Sequence, residues 1–203
     1  QAQYDREQEH LFQGDTWAYL CLEVELPKRG DYFATTVGEV AVLVARGADG
    51  AINAFENRCV HRGNLLCLKQ RGNVRKFSCI YHGWTYDLEG KLTGVAFEQG
   101  VKGQGGMAPE FRKEDHGLRP LRVQALGGIV FGTFSDDVPD LEHWLGPDVT
   151  RGLLRVMNRT PHILGRNTQV LPNNWKPYFE NVKDNYHASI LHMFLTTFKI
   201  KKL

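Results

Sequence analysis

Two short segments set a thiol and an imidazole almost side by side. In Asn57-Arg58-Cys59-Val60-His61-Arg62-Gly63 one residue separates Cys59 from His61, and in Ser78-Cys79-Ile80-Tyr81-His82-Gly83-Trp84 two residues separate Cys79 from His82, with seventeen residues between the pairs. Donors that close cannot both point inward from a regular strand or helix. Each pair therefore belongs on a loop, and Gly63 and Gly83 permit the tight turns required. Two such loops facing each other make a four-donor metal pocket. Two Cys and two His suit zinc as well as iron and sulfide. Zinc fingers usually pair like with like, whereas each loop here supplies one of each; a two-iron, two-sulfide cluster with Cys on one iron and His on the other matches that pattern.

A second dense patch runs from Asn173-Asn174-Trp175 to His187 and His192. On a helix, Glu180, Asp184 and His187 share a face because their spacings are four and three. A solvated polar stripe is the plain reading, but Tyr186, Ile190, Leu191 and Phe194 make the surroundings apolar, so the charges there need a partner. His187 and His192 are five apart, about 140° on an ideal helix, and converge only where the helix bends, bulges or ends.

The elements that must position these groups follow from the pattern of short apolar runs and glycine-rich turns. Residues 4–12 read as a short amphipathic helix. Strands are predicted at Trp17–Val24, Tyr32–Val37, Val40–Ala45, Ala51–Glu56, Lys76–Cys79, Trp84–Asp87, Leu118–Ala125 and Ile129–Phe134. Gly47-Ala48-Asp49-Gly50 is a hairpin turn, and Gly94–Gly106 a long surface loop. A helix is expected at Pro139–Leu145, a strand at His162–Leu171, and a helix from Trp175 to about Leu191 capped by Asn173 or Asn174. The fold class is α+β: a small all-β domain, then the start of a helix-containing one. The expected divisions are an N-terminal helix (1–13) packing on the second domain, the cluster domain (14–146) and that second, truncated domain (147–203).

The 203 residues are 42% hydrophobic and 24% charged, enough to bury one good core or two small ones. With 25 Lys+Arg against 23 Asp+Glu, and the basic residues scattered along the chain, neither nucleic acid nor an anionic membrane is an expected partner. No apolar run reaches membrane-spanning length and the opening residues are too polar for a signal peptide, so a cytoplasmic protein is expected. Four cysteines without dense spacing argue for reduced thiols, with Cys21 and Cys67 as buried free ones. The chain lacks an initiator Met and stops soon after a motif-rich helix, which reads as a fragment at both ends.

Cys-X-His-Arg-Gly followed by Cys-X-X-His-Gly-Trp-X-Tyr resembles the Rieske signature of aromatic ring-hydroxylating oxygenases. The Asn-Trp-Lys, Glu-Asn and Asp-X-Tyr-His stretch with its further His resembles the mononuclear iron motif of the same large subunits. The resemblance implies a [2Fe-2S] cluster with Cys59 and Cys79 on the inner iron and His61 and His82 on the outer. It also implies a mononuclear Fe(II) on His187 and His192, whose third carboxylate ligand is expected beyond residue 203. Asp184 would be the bridge between the centres, joining His187 to His82 of a neighbouring subunit in a trimeric ring; no role is assigned to Glu180 or Asn181. Tyr81, Trp84 and Tyr86 would shield the cluster and tune its potential. The implied protein is a terminal oxygenase fed from NADH through a ferredoxin or reductase, with or without small subunits, acting with O2. Residues 94–98, 101–107 and 180–198 look most like the terephthalate, salicylate and anthranilate members, which implies an aromatic carboxylate substrate. The competing readings are a Rieske ferredoxin-type carrier, which has no use for His187 and His192, and a zinc-binding structural protein. His10, His116, His143 and His162 default to surface or core roles.

Overall fold

The computed structural model describes residues 1–198, which divide into two compact units between His162 and Ile163. The first unit carries ten antiparallel strands: β1 (Ala18–Leu22), β2 (Asp31–Val37), β3 (Val40–Arg46), β4 (Ile52–Glu56), β5 (Arg71–Asn73), β6 (Phe77–Ser78), β7 (Thr85–Tyr86), β8 (Leu92–Gly94), β9 (Pro120–Leu126) and β10 (Ile129–Thr133). Seven form one sheet in the order β1-β10-β9-β4-β3-β2-β5, and β6-β7-β8 form a small second sheet. The β9–β10 turn is Gly127-Gly128 with φ of 59° and 81°, the doubly left-handed geometry that a two-residue hairpin turn demands and glycine supplies.

β3 explains how the large sheet works. Its run Val42-Leu43-Val44-Ala45 is buried throughout because both faces meet a core. Leu43 and Ala45 join Tyr32, Phe55, Phe77, Tyr86, Cys59 and Cys79 on one side. Val42 and Val44 join Leu20, Leu26, Phe33 and Val130 on the other. The two thiols predicted to bind metal thus sit in a packed core, behind an aromatic trio in which Phe77 meets Tyr32 and Phe55 edge to face at 5.8 and 5.6 Å. Each such pair contributes about 0.5–1.5 kcal/mol beyond simple burial.

Two predicted elements are longer or more broken than the pattern suggested. The N-terminal helix is α1 (Ala2–Glu7) continued by a π-helical turn over Gln8–Phe12. The helix expected at Pro139–Leu145 is α2 (Leu141–Val156): Gly146, at φ 74°, kinks it, and Pro147 opens a second stretch in the position where a missing N–H costs nothing. A third small core of Trp17, Leu126, Val138 and Leu141 holds its first turn.

The second unit contains α3 (Trp175–Lys183), α4 (Asn185–Leu191) and α5 (Met193–Thr197). The strand predicted over His162–Leu171 does not form. Those residues are irregular, with Leu164 96% and Val170 93% exposed, and no described strand lies beside them to complete a ladder. The predicted helix Trp175–Leu191 is divided at Asp184, which adopts φ −73°, ψ 101°. Among the described residues no helix is long and apolar enough to cross a membrane.

Candidate metal centres

The two Cys/His loops share one backbone scaffold. In the first, Gly63 N–H donates to Cys59 O at 2.8 Å and Cys59 N–H to Asn64 O at 2.8 Å. In the second, Gly83 N–H donates to Cys79 O at 2.9 Å and Cys79 N–H to Trp84 O at 2.8 Å. Gly63 and Gly83 hold φ of 71° and 70° at the same step of each loop, a conformation that penalises any residue with a Cβ. A Cβ on Gly83 would also press on Ala96 at 3.3 Å. Asn57, buried beneath the first loop, accepts the N–H groups of Leu66 and Cys67 at 3.0 Å each and donates to Cys67 O at 2.9 Å, fixing the chain that leaves it.

The donors differ in depth. Cys59 and Cys79 are 2% and 3% exposed, His61 is open to solvent and His82 half-buried. The imidazoles of His61 and His82 face each other at 4.7 Å between ring centroids, and His82 Nδ1 is buried with no hydrogen-bond partner. A buried ring nitrogen without a partner is costly unless it has a ligand. Partial desolvation, reinforced by His82 and Arg62, holds the His61 pKa below its ordinary value and favours the neutral imidazole that binds metal.

Aromatic rings line the site. His61 stacks on Trp84, Tyr81 lies on His82 with centroids 3.8 Å apart, and the Tyr86 hydroxyl sits 3.3 Å from Cys59 Sγ while accepting the Val60 N–H at 3.3 Å. Burial, then the contact with Cys59, pushes the Tyr86 pKa well above its ordinary value, so the hydroxyl keeps its proton. Phe111 and His116 pack on Trp84 edge to face, each at 5.7 Å. Neither was singled out from the sequence, and no spacing signal could have found them, since only the fold carries residues 111–116 back to Trp84. His116 is thus part of the aromatic wall, whereas His10, His143 and His162 are exposed.

The second patch is rebuilt around Asp184. Its Oδ1 accepts the Tyr186 N–H at 2.8 Å, the N-cap of α4, and its Oδ2 lies 3.1 Å from His187 Nδ1. A side chain that offers the backbone this alternative bond ends one helix and starts the next. Glu180, on α3, therefore does not continue a stripe with Asp184 and His187; it and Asn181 are exposed. α4 ends at Leu191 and His192 leaves helical geometry at φ −102°, ψ 81°, which brings the His187 and His192 rings to 5.3 Å, face to edge. Asn174 caps α3 by accepting the Lys176 N–H at 3.0 Å.

Residues 16–103 match the Rieske [2Fe-2S] domain family. The whole chain is 54% identical, over 202 residues, to the terephthalate 1,2-dioxygenase terminal oxygenase component subunit alpha 2 of Comamonas sp., covering 49% of that protein. The chain carries a Rieske [2Fe-2S] domain and is homologous to dioxygenase large subunits. Over 98% of its length it is 49% identical to the anthranilate 1,2-dioxygenase large subunit of Burkholderia cepacia, covering 47% of it. The fold agrees: naphthalene 1,2-dioxygenase from Rhodococcus sp. superposes with a TM-score of 0.82 at 32% identity, over 96% of this chain and 44% of that one. The chain spans about half the length of the curated relatives it matches.

The donor set fits the Rieske family's cluster better than a single ion. One zinc gathers all four donors around one point. Among the described residues no three His, Cys, Asp or Glu side chains are grouped to hold one ion. A Rieske cluster instead divides its ligands between two irons, two Cys to one and two His to the other. Two buried cysteines below two rim histidines suit that division, and the bare His82 Nδ1 suits a ligand role.

Proposed function

We propose that this chain is the N-terminal part of a terminal oxygenase large subunit that inserts oxygen from O2 into an aromatic carboxylate. One observation carries the reading: a Cys59/His61/Cys79/His82 cradle and a converging His187/His192 pair, with Asp184 bonded to His187, occur on the same chain. A ferredoxin-type carrier needs only the first. Residues 14–146 serve as the cluster domain and the catalytic domain begins from residue 147; the helix at residues 1–13 lies on the β2–β3 turn instead, where the Tyr4 hydroxyl donates to Glu39 at 2.8 Å and Phe12 joins the Val37 core.

In this reading Cys59 and Cys79 hold the inner iron, His61 and His82 the outer. The cluster supplies one-electron storage and the mononuclear iron supplies oxygen activation. Asp184 accepts a hydrogen bond from His187 Nδ1–H, which fixes the tautomer and leaves Nε2 as the metal donor. His192 is the second donor, and a carboxylate beyond residue 203 the third, completing the two-His, one-carboxylate face of such irons. Asp184 is half-exposed and its oxygens retain free lone pairs, so it can also accept from His82 of the partner subunit in a trimeric ring. Electrons come from a ferredoxin or reductase. The cytoplasm is the compartment that keeps Cys21 and Cys67 as free thiols.

The aromatic carboxylate assignment rests on relatives named for terephthalate and anthranilate, both aromatic acids. Its test is turnover by the complete subunit with an NADH-driven reductase, alongside EPR of the reduced protein. The expected result is a Rieske signal, additional mononuclear iron and product from aromatic acids. A cluster without mononuclear iron would make the protein a carrier, and turnover confined to neutral arenes would overturn the substrate class.

A further inference from the structure

Six cations that look scattered along the sequence meet at one edge of the large sheet. Arg71 lies on the edge strand β5, Lys69 precedes it, and Arg75 and Lys76 follow; Lys28 and Arg29 precede the partner strand β2, and all six are exposed. Asp31 pairs with Asn73, Phe33 with Arg71, and Val74 N–H donates to Gly30 O at 2.9 Å, which sets residues 28–29 alongside 75–76. Asp31, the acid among them, is already engaged: Oδ2 accepts the Lys28 N–H at 2.7 Å and Oδ1 the Asn73 amide at 2.8 Å. None of the six forms an ion pair among the described residues. From Asn57 to Tyr86 the sequence contains no Asp or Glu, so the cluster loops add no anion nearby. With a net charge of only +2, the chain concentrates its positive charge here and leaves the rest of its surface net negative.

Lysine and arginine on an edge strand can simply discourage sheet pairing. Guarding a three-residue strand does not require cations on the flanking segments at 28–29 and 75–76. The edge is also close to the metal pocket: β5 connects the two ligand loops, and Lys76 stands three residues before Cys79, about 10 Å at full extension. No exposed aromatic lies among the six to stack a base, which sets the patch apart from single-strand nucleic-acid sites.

We propose that the β2–β5 edge is the docking surface for an acidic electron-donor protein. The donor's reduced iron–sulfur centre loses one electron and the oxidised cluster held by Cys59, His61, Cys79 and His82 gains it, with no bond made or broken. The donor's role rests on the proposed function; the surface and its charge do not.

The test compares the full-length oxygenase with its Arg75→Glu/Lys76→Glu and Lys28→Glu/Arg29→Glu variants. Cluster reduction is followed by stopped flow with a reduced acidic plant-type [2Fe-2S] ferredoxin and, separately, with dithionite. The wild-type rate with ferredoxin should fall steeply with salt, and each variant should be about tenfold slower at low salt. Dithionite reduction and the cluster EPR signal should not change. Ferredoxin rates unaffected by either double substitution overturn the proposal, as does equal slowing with both reductants in both variants. Higher oligomers appearing in the variants would assign the cations to edge protection instead. A duplex DNA mobility shift abolished by the substitutions would assign the edge to nucleic acid, again against the proposal. Normal salt-dependent reduction without oxygenase turnover would sink the proposed function and leave the docking surface standing.

Discussion

The imidazole of His61 lies flat on the indole of Trp84, with centroids 4.8 Å apart and planes 8° apart. Trp84 is 4% exposed and meets Phe111 and His116 edge to face, so a ring on the cluster rim is oriented through packing that begins fifty residues later. Trp84→Ala should cost about 3–5 kcal/mol, the range for deleting a buried large aromatic, measured by denaturant unfolding. It should also broaden the cluster EPR signal by freeing His61, whereas Trp84→Phe should retain most of both. A sharp wild-type spectrum in the alanine variant would show that the stack does not orient His61.

With Cys59 as a thiolate ligand, Tyr86 is the only donor of the pair, and its hydroxyl oxygen still accepts from Val60. A donor on a thiolate stabilises the extra negative charge of a reduced cluster. Tyr86→Phe should therefore lower the reduction potential. A net hydrogen bond of about 1 kcal/mol corresponds to about 40 mV for one electron. Redox titration followed by EPR measures it, and an unchanged or raised potential contradicts the assignment.

Asp184 caps α4 and holds His187 at the same time, and asparagine separates the two roles. Asn is as good a cap as Asp but carries no charge. Asp184→Asn should keep both metal signals and reduce turnover by about 10- to 100-fold, the range for losing a group that orients a metal ligand. Near-normal activity would break the proposed link between the centres.

The pH dependence of that carboxylate has a definite sign. The Tyr186 N–H, then the bond with His187, holds the Asp184 pKa below the ordinary aspartate value. Its contribution to the α4 cap is thus complete above that ordinary value and is lost as pH falls through the lowered one. Carboxyl-carbon NMR should place the Asp184 midpoint below that of exposed aspartates; titration at the ordinary value would contradict the geometry.

Cys67 offers the opposite sign. Burial, partly offset by the Tyr32 hydroxyl, pushes its thiol up to about 11. The folded state therefore keeps a proton that the unfolded chain gives up near pH 9, and this stabilisation is present below that pH and lost as pH rises through about 11. Iodoacetamide should label Cys67 slowly at pH 8 in the folded protein, at least tenfold slower than after denaturation. Equal rates by mass spectrometry would show the thiol to be open.

The two candidate metal patches were legible in the chain because their information is local. A Cys and a His within four residues of a glycine that takes positive φ define a loop whatever lies around it, and the short apolar runs Val40–Ala45 and Ile129–Phe134 define strands in the same way. Asp184-Asn185 contained the signal for a helix break, since both residues cap helices better than they continue them; the four-and-three spacing concealed it. Residues 162–171 carry a strand-like apolar pattern, yet a strand forms only where another lies beside it.

By itself, then, the sequence determined the candidate donors, the loops that present them and the apolar runs that flank those loops, all set by a few neighbouring residues. Tertiary structure alone decided which donors lie deep and which at the rim, that Phe111 and His116 brace Trp84 against His61, that His187 and His192 meet where α4 ends, and that six dispersed cations share the β2–β5 edge. The physical reason is the same in each case. Burial, ring stacking and summed charge depend on separations in space that the antiparallel register creates between residues far apart in the chain.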